Sequence, residues 1–136
     1  MKINTPISAG EIADKITILE IKSLMIREED KLKEVLNEKT QLTDIMNDLL
    51  YPSSKLKFSI AQFFGLKADL YEINLALWKI EDKIRICEKN KDFSAEFIRL
   101  ARDVYHANDI RFGIKNEINK LTNSDLKEVK SYESYS

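Results

Sequence analysis

The chain has 136 residues, of which 43% are apolar and 33% charged, with a formal net charge of −1. That length supports one domain with a real core, and the near-neutral balance argues against a nucleic-acid binder, which needs a basic excess to neutralise phosphates. A lone cysteine excludes an internal disulfide, and no apolar run reaches signal-peptide or membrane-span length, so the expected location is cytoplasmic, away from any membrane.

With three glycines and two prolines, the composition favours long solvent-facing helices. The first helix begins at Ser8-Ala9-Gly10-Glu11, a capping box in which Ser8 accepts from a first-turn N–H while Glu11 reaches back to the cap residue. Ile7 and Ile12 stand at the staple positions, and Ile12, Ile16, Leu19, Ser23 and Ile26 follow the four-three rhythm of a helix face. After Ile26 the stripe shifts phase by about two residues and resumes as Leu32, Val35, Leu42, Met46 and Leu49. No glycine or proline forces a turn there. The spacing predicts one helix over 9–50 with a kink near 28–31, or two helices if it breaks.

Tyr51-Pro52-Ser53-Ser54 is the clearest turn. The next helix, expected over 56–89, carries Leu66, Leu70, Ile73, Leu77, Ile80, Ile84 and Cys87, a coiled-coil-like seam. Asp92 or Ser94 caps a last helix over 93–122, with Phe97, Leu100, Ala101, Val104, Ala107, Ile110, Ile114, Ile118 and Leu121 inward. The tail, 123–136, is too short and polar to fold alone and is expected to be mobile or held by a partner. The fold class is therefore all-α, a single-domain elongated antiparallel bundle of three long helices, four if the first breaks.

Polar residues interrupt the apolar seams. Glu11, Lys15 and Lys22 share a strip on the first helix; Asn74, Glu81 and Glu88 flank the middle seam; Asn108, Arg111 and Lys115 lie inside the apolar arc of the last helix. One reading is a cationic pocket for a phosphate, carboxylate or sugar-phosphate group, with Arg111 as bidentate donor and Asn108, Lys115, Arg102 and Glu81 around it. The other is a set of interhelical ion pairs and amide contacts that fix register. Register limits the pocket: in a straight bundle Lys22 lies level with Ile84 and Arg111 with Leu70, roughly 20 Å apart. A second stripe of Tyr71, Leu75, Trp78, Asp82 and Arg85 leaves a face for a partner, with Tyr71, Trp78 and Arg85 of the types that interfaces favour. A homodimer or protein partner is expected there.

No catalytic motif stands out. One histidine cannot supply the two Glu-x-x-His pairs of a di-iron bundle, and the Cys and His counts exclude a zinc site of those ligands. Asp103-x-x-His106 reads as a surface pair. Glu11-x-x-Asp14 is the single match to the carboxylate spacing of all-α nucleotide pyrophosphohydrolases, and capping already accounts for Glu11. There is no phosphate-binding glycine loop, and Cys87 on the seam reads as a core residue. Neither cofactor nor metal is expected, and the chain leans away from enzymes.

Three segments occur together: Ile7-Ser8-Ala9-Gly10-Glu11 leading into Asp14-Lys15-Ile16-Thr17-Ile18-Leu19-Glu20-Ile21-Lys22; Leu77-Trp78-Lys79-Ile80-Glu81-Asp82; and Asn108-Asp109 with Arg111, Lys115 and Glu117-Ile118-Asn119. In these the chain resembles an uncharacterised family of small helical proteins of bacteria and some phages. The resemblance covers nearly everything outside 28–65. It implies no activity; association of some members with surface-polysaccharide and sugar-transfer genes suggests an accessory role there. Two expectations follow: a non-catalytic helical interaction or scaffold protein, or a binder of an anionic small molecule through the interhelical Arg/Lys/Asn cluster.

Overall fold

The computed structural model describes residues 1–135, and every element among them is a helix: α1 (Ala9–Met25), α2 (Glu29–Leu50), α3 (Ile60–Lys89) and α4 (Ala95–Thr122). The expected first helix is two. Ile26 leaves the helical region at φ −84°, ψ 130°, and α2 restarts from Glu28 without a side-chain cap. The phase shift between the two apolar stripes is the cause: a continuous helix would turn one of them out of the core. The break lets each half present its own stripe.

α1 and α2 form one helical hairpin, α3 and α4 the other, and α1 is the element that packs against all the rest. Gly10 meets Asn119, Glu11 meets Lys115, and Asp14 meets Arg111, so α1 and α4 run antiparallel. Against α3, Asp14 and Thr17 meet Asn74, and Lys67 pairs with Glu20 at 2.5 Å. The core gathers where α1, the end of α2 and the first half of α3 converge, around Ile12, Ala13, Ile16, Met46, Leu50, Phe63 and Leu70, with Ile118 closing it from α4.

Helix ends follow the local chemistry. Ser8 caps α1, its hydroxyl accepting from Glu11 N–H at 3.1 Å. Only half of the expected box forms there, because the Glu11 carboxylate turns to Lys115 instead. α3 starts later than its seam suggested, at the Ser59 cap, with 56–59 outside the helix. Ser94, not Asp92, is the cap residue of α4, while the Asp92 carboxylate accepts from Ser94 N–H. Asn123 ends α4 in the left-handed region (φ 52°), a conformation Asn adopts readily.

One inward expectation on α4 changes: Ile110 is exposed, while Lys115, placed inside the apolar arc, is buried, because the face turned to α1 is the one that carries Arg111, Lys115 and Asn119. The segment after α4 lies back along that helix. Glu128 reaches Lys115 at 2.7 Å, and Lys130 and Tyr135 both bond to Asp109. Ser136 lies outside the described residues.

Candidate functional site: a clamped arginine between two clefts

Asp14 is the centre of the polar seam. It is fully buried, one turn into α1, a position the hydrophobic rhythm on either side forces inward. Its Oδ1 accepts from Asn74 Nδ2 and from Arg111 Nε, both at 2.9 Å, and its Oδ2 accepts from an Arg111 terminal nitrogen at 2.5 Å. The guanidinium thus grips the carboxylate with two of its nitrogens, the fork geometry lysine cannot supply. Asn74 Nδ2 also donates to the Thr17 hydroxyl, which itself donates to the Asp14 carbonyl at 2.7 Å. Three helices are tied by one carboxylate.

Burial pushes the Asp14 carboxyl upward, but the hydrogen bonds from Arg111 and Asn74 and the charges of Arg111 and Lys115 outweigh it, so it is held below the ordinary aspartate value. Asp14 in turn raises Arg111, chiefly through the hydrogen bonds, against a smaller opposing effect of burial. Burial pushes Lys115 down, yet Glu128, Asp14 and Glu11 together leave it above its usual value. All three groups are charged at neutral pH.

Around this clamp α1 and α4 are locked at close range. Gly10 N–H donates to Asn119 Oδ1 at 2.7 Å, and Ala9 N–H to the Ser124 hydroxyl at 3.2 Å, so residues from the far end of the chain satisfy the first turn of α1. A Cβ on Gly10 would stand 2.4 Å from the Lys115 carbonyl oxygen. Asn119 Nδ2 is buried without a partner.

The outer side of Arg111 lines two clefts. One, of about 420 Å³, lies between α4 and the returning C-terminal segment, where Asn108, Arg111 and Lys115 face Lys130, Ser131 and Tyr132. The other, also about 420 Å³, lies among α1, α3 and α4, where Asn108 and Arg111 meet Lys22, Trp78, Glu81 and Arg85. Lys22 and Arg111, which a straight bundle would hold layers apart, share this cleft. The break after Met25 frees α1 from the register that a helix over 9–50 would impose.

The residues singled out in the sequence divide accordingly. Asn108, Arg111 and Lys115 come together on the C-terminal side, and Asn108 and Arg111 meet Trp78, Glu81 and Arg85 on the other. Glu81 pairs with Arg85 at 3.3 Å on an exposed surface. Arg102 is exposed and belongs to neither cleft, about 14 Å along α4 from Arg111. Tyr71 is half-buried a little under two turns before Trp78, outside the cleft lining. Lys15 is exposed. His106 stands beside Tyr105 and Tyr135, with the Tyr135 hydroxyl 3.4 Å from its ring nitrogen.

Sequence reasoning missed Asp14 as the clamp, Thr17 and Asn119 as its neighbours, and Glu128 and Lys130 as site residues. A fully inward aspartate within an apolar run was the available signal for the first. For the last two there was none, since nothing in a polar tail says which helix it will follow.

The protein belongs to a family of unknown function, DUF6165, whose profile matches residues 1–135. No curated protein matches it, and no solved structure does. Among the described residues no helix is long and apolar enough to cross a membrane.

Proposed function

We propose that this protein binds a small anionic molecule, phosphate-bearing by chemistry, in the cleft between α4 and the C-terminal segment. The observation that carries the reading is the state of Arg111. Asp14 holds its Nε and one terminal nitrogen, leaving the remaining edge fixed toward Asn108 and the clefts. A side chain already immobilised loses little entropy when an anion arrives. Lys115 and Lys130 line the same cleft beside Glu128, and each already has a carboxylate partner, Glu11 and Glu128 for Lys115 and Asp109 for Lys130, which an arriving anion would share. Binding rather than turnover is the better-supported role: Asp14, the buried carboxylate, has both oxygens occupied and stays ionised, so it is poorly placed to exchange a proton.

Thermal unfolding in the presence of inorganic phosphate, pyrophosphate and a neutral salt control tests this. A ligand at a hundred times its Kd adds about 2.7 kcal/mol, a visible rise in Tm. Arg111→Lys, which keeps the charge and loses the fork, and Lys130→Met, in the C-terminal segment, should each shrink the rise. No rise beyond the salt control, or an equal rise in both variants, would remove the reading.

A second reading is a non-catalytic interaction protein, and α2 favours it. Of its 22 residues only Met46 and Leu50 are buried, both near its end. Its first half is a charged helix with little packed against it, a surface a second copy or another protein could cover. Light scattering tests the self-association form of this reading: a monomer at high concentration counts against self-association through α2 or the Trp78 stripe.

A further inference from the structure

We infer that the Trp78 cleft holds a ring belonging to the same ligand whose anionic group lies against Arg111 and Lys115, so that the ligand is a ring-bearing phosphomonoester. This rests on the anion-binding reading and extends it.

Three observations converge. First, Asn108 and Arg111 line both clefts and are the wall they share. Second, the two clefts differ in chemistry. The lining of the C-terminal one carries Arg111, Lys115 and Lys130 against one carboxylate, whereas the other sets Glu81 and Asp82 against Lys22, Arg85 and the shared Arg111. A second anion has no reason to prefer it. Third, one wall of that cleft is apolar and built from two helices, Ile18 and Ile21 from α1 with Leu77 and Trp78 from α3. An indole beside carboxylate and amide groups suits a flat or puckered ring that stacks on its face while hydroxyl or N–H groups at its edge donate to the carboxylates. A sugar ring and a nucleobase share that chemistry.

Trp78 is the single tryptophan of the chain, so its fluorescence reports the cleft directly. The full-length protein is titrated with inorganic phosphate, a hexose phosphate and a nucleoside monophosphate, with absorbance correction for the last. One of the ring-bearing compounds should change Trp78 emission and bind about tenfold more tightly than inorganic phosphate, in line with the strength of ring stacking on an aromatic side chain. Whichever of the two does so identifies the ring as sugar or base. Followed by the rise in Tm, because both variants lack the fluorophore, Trp78→Ala should abolish that advantage while leaving phosphate affinity unchanged, and Trp78→Phe, which keeps a ring and the packing, should restore most of it. If phosphate binds but neither ring-bearing compound binds better or moves Trp78, the inference is overturned and the anion site stands. If nothing binds, the anion reading falls and this falls with it.

Discussion

Two faces of α1 hold the molecule together by different means. On one, Ile12, Ala13 and Ile16 meet Met46, Leu50, Phe63 and Leu70 through side chains that bring no hydrogen-bonding group to the contact. On the next, Asp14 and Thr17 meet Asn74 and Arg111 through atoms that each have a particular partner. Apolar contact is non-directional and tolerates any shape of similar volume. The polar contact has no substitutes: loss of one member leaves another buried and unsatisfied. The first face supplies stability and the second decides how the helices are placed, and only the second is continuous with the clefts.

The largest expected effect comes from breaking the polar face on one side. Arg111→Met leaves the Asp14 carboxylate in a site that excludes water, and breaking a buried pair in this way costs about 3–5 kcal/mol; the partial exposure of Arg111 places the expected loss near the lower end. Denaturant unfolding measures it, and a loss below about 1 kcal/mol would show that Asp14 is solvated by other means. The same clamp predicts an acid limb. Asp14 is held below 3.8, so between that value and its lower folded value the native protein binds fewer protons than the unfolded chain. Its contribution is complete above the ordinary value and is lost as pH falls through the folded one. In Asp14→Asn that part of the acid destabilisation should be missing, whereas an unchanged pH profile would assign it to other carboxylates.

Gly10→Ala comes next, at about 2 kcal/mol for forced overpacking. The added methyl would meet the Lys115 carbonyl, helix backbone that cannot swing aside, so α1 must move off α4. Because Lys115 lines the cleft, anion affinity should fall along with Tm. The apolar face should respond more gently: Leu70→Met, at a fully buried position, should cost less than about 1.5 kcal/mol and leave affinity unchanged. A larger loss there than in Gly10→Ala would reverse the assignment of the two faces.

The apolar face was the legible one. Ile12, Ile16, Leu70 and Ile118 sit on stripes whose spacing already gave helices and inward sides, and the phase shift after Ile26 gave a kink or a break. What spacing could not show is partnership. Asp14 and Arg111 are 97 positions apart, and a helical wheel gives the direction of each side chain but not which helix it will meet. The straight-bundle register failed for the same reason: it assumed a continuous first helix, and the extended backbone at Ile26 breaks that assumption without any glycine or proline to mark it. The C-terminal segment was opaque because its hold on α4 comes from side-chain pairs of Glu128, Lys130 and Tyr135, none of which makes a periodic pattern.

The smallest effects belong to the helix caps, where three serines occupy the same formal position with different partners. Ser8 is buried and its hydroxyl accepts from Glu11 N–H at 3.1 Å, next to the Gly10 and Ala9 N–H groups that α4 and Ser124 satisfy. Ser8→Ala should cost about 1 kcal/mol, the usual value of a cap bond. Ser59 makes the equivalent bond to Gln62 N–H on an exposed surface, where water can replace it, so Ser59→Ala should cost less. Ser94 makes no side-chain cap bond, and Ser94→Ala should fall within about 0.5 kcal/mol of wild type. That order tests whether the α1–α4 junction carries the weight assigned to it: equal losses at Ser8 and Ser59 would mean that the first turn of α1 is as open to water as that of α3, and that Asn119 and Ser124 do not seal the polar face.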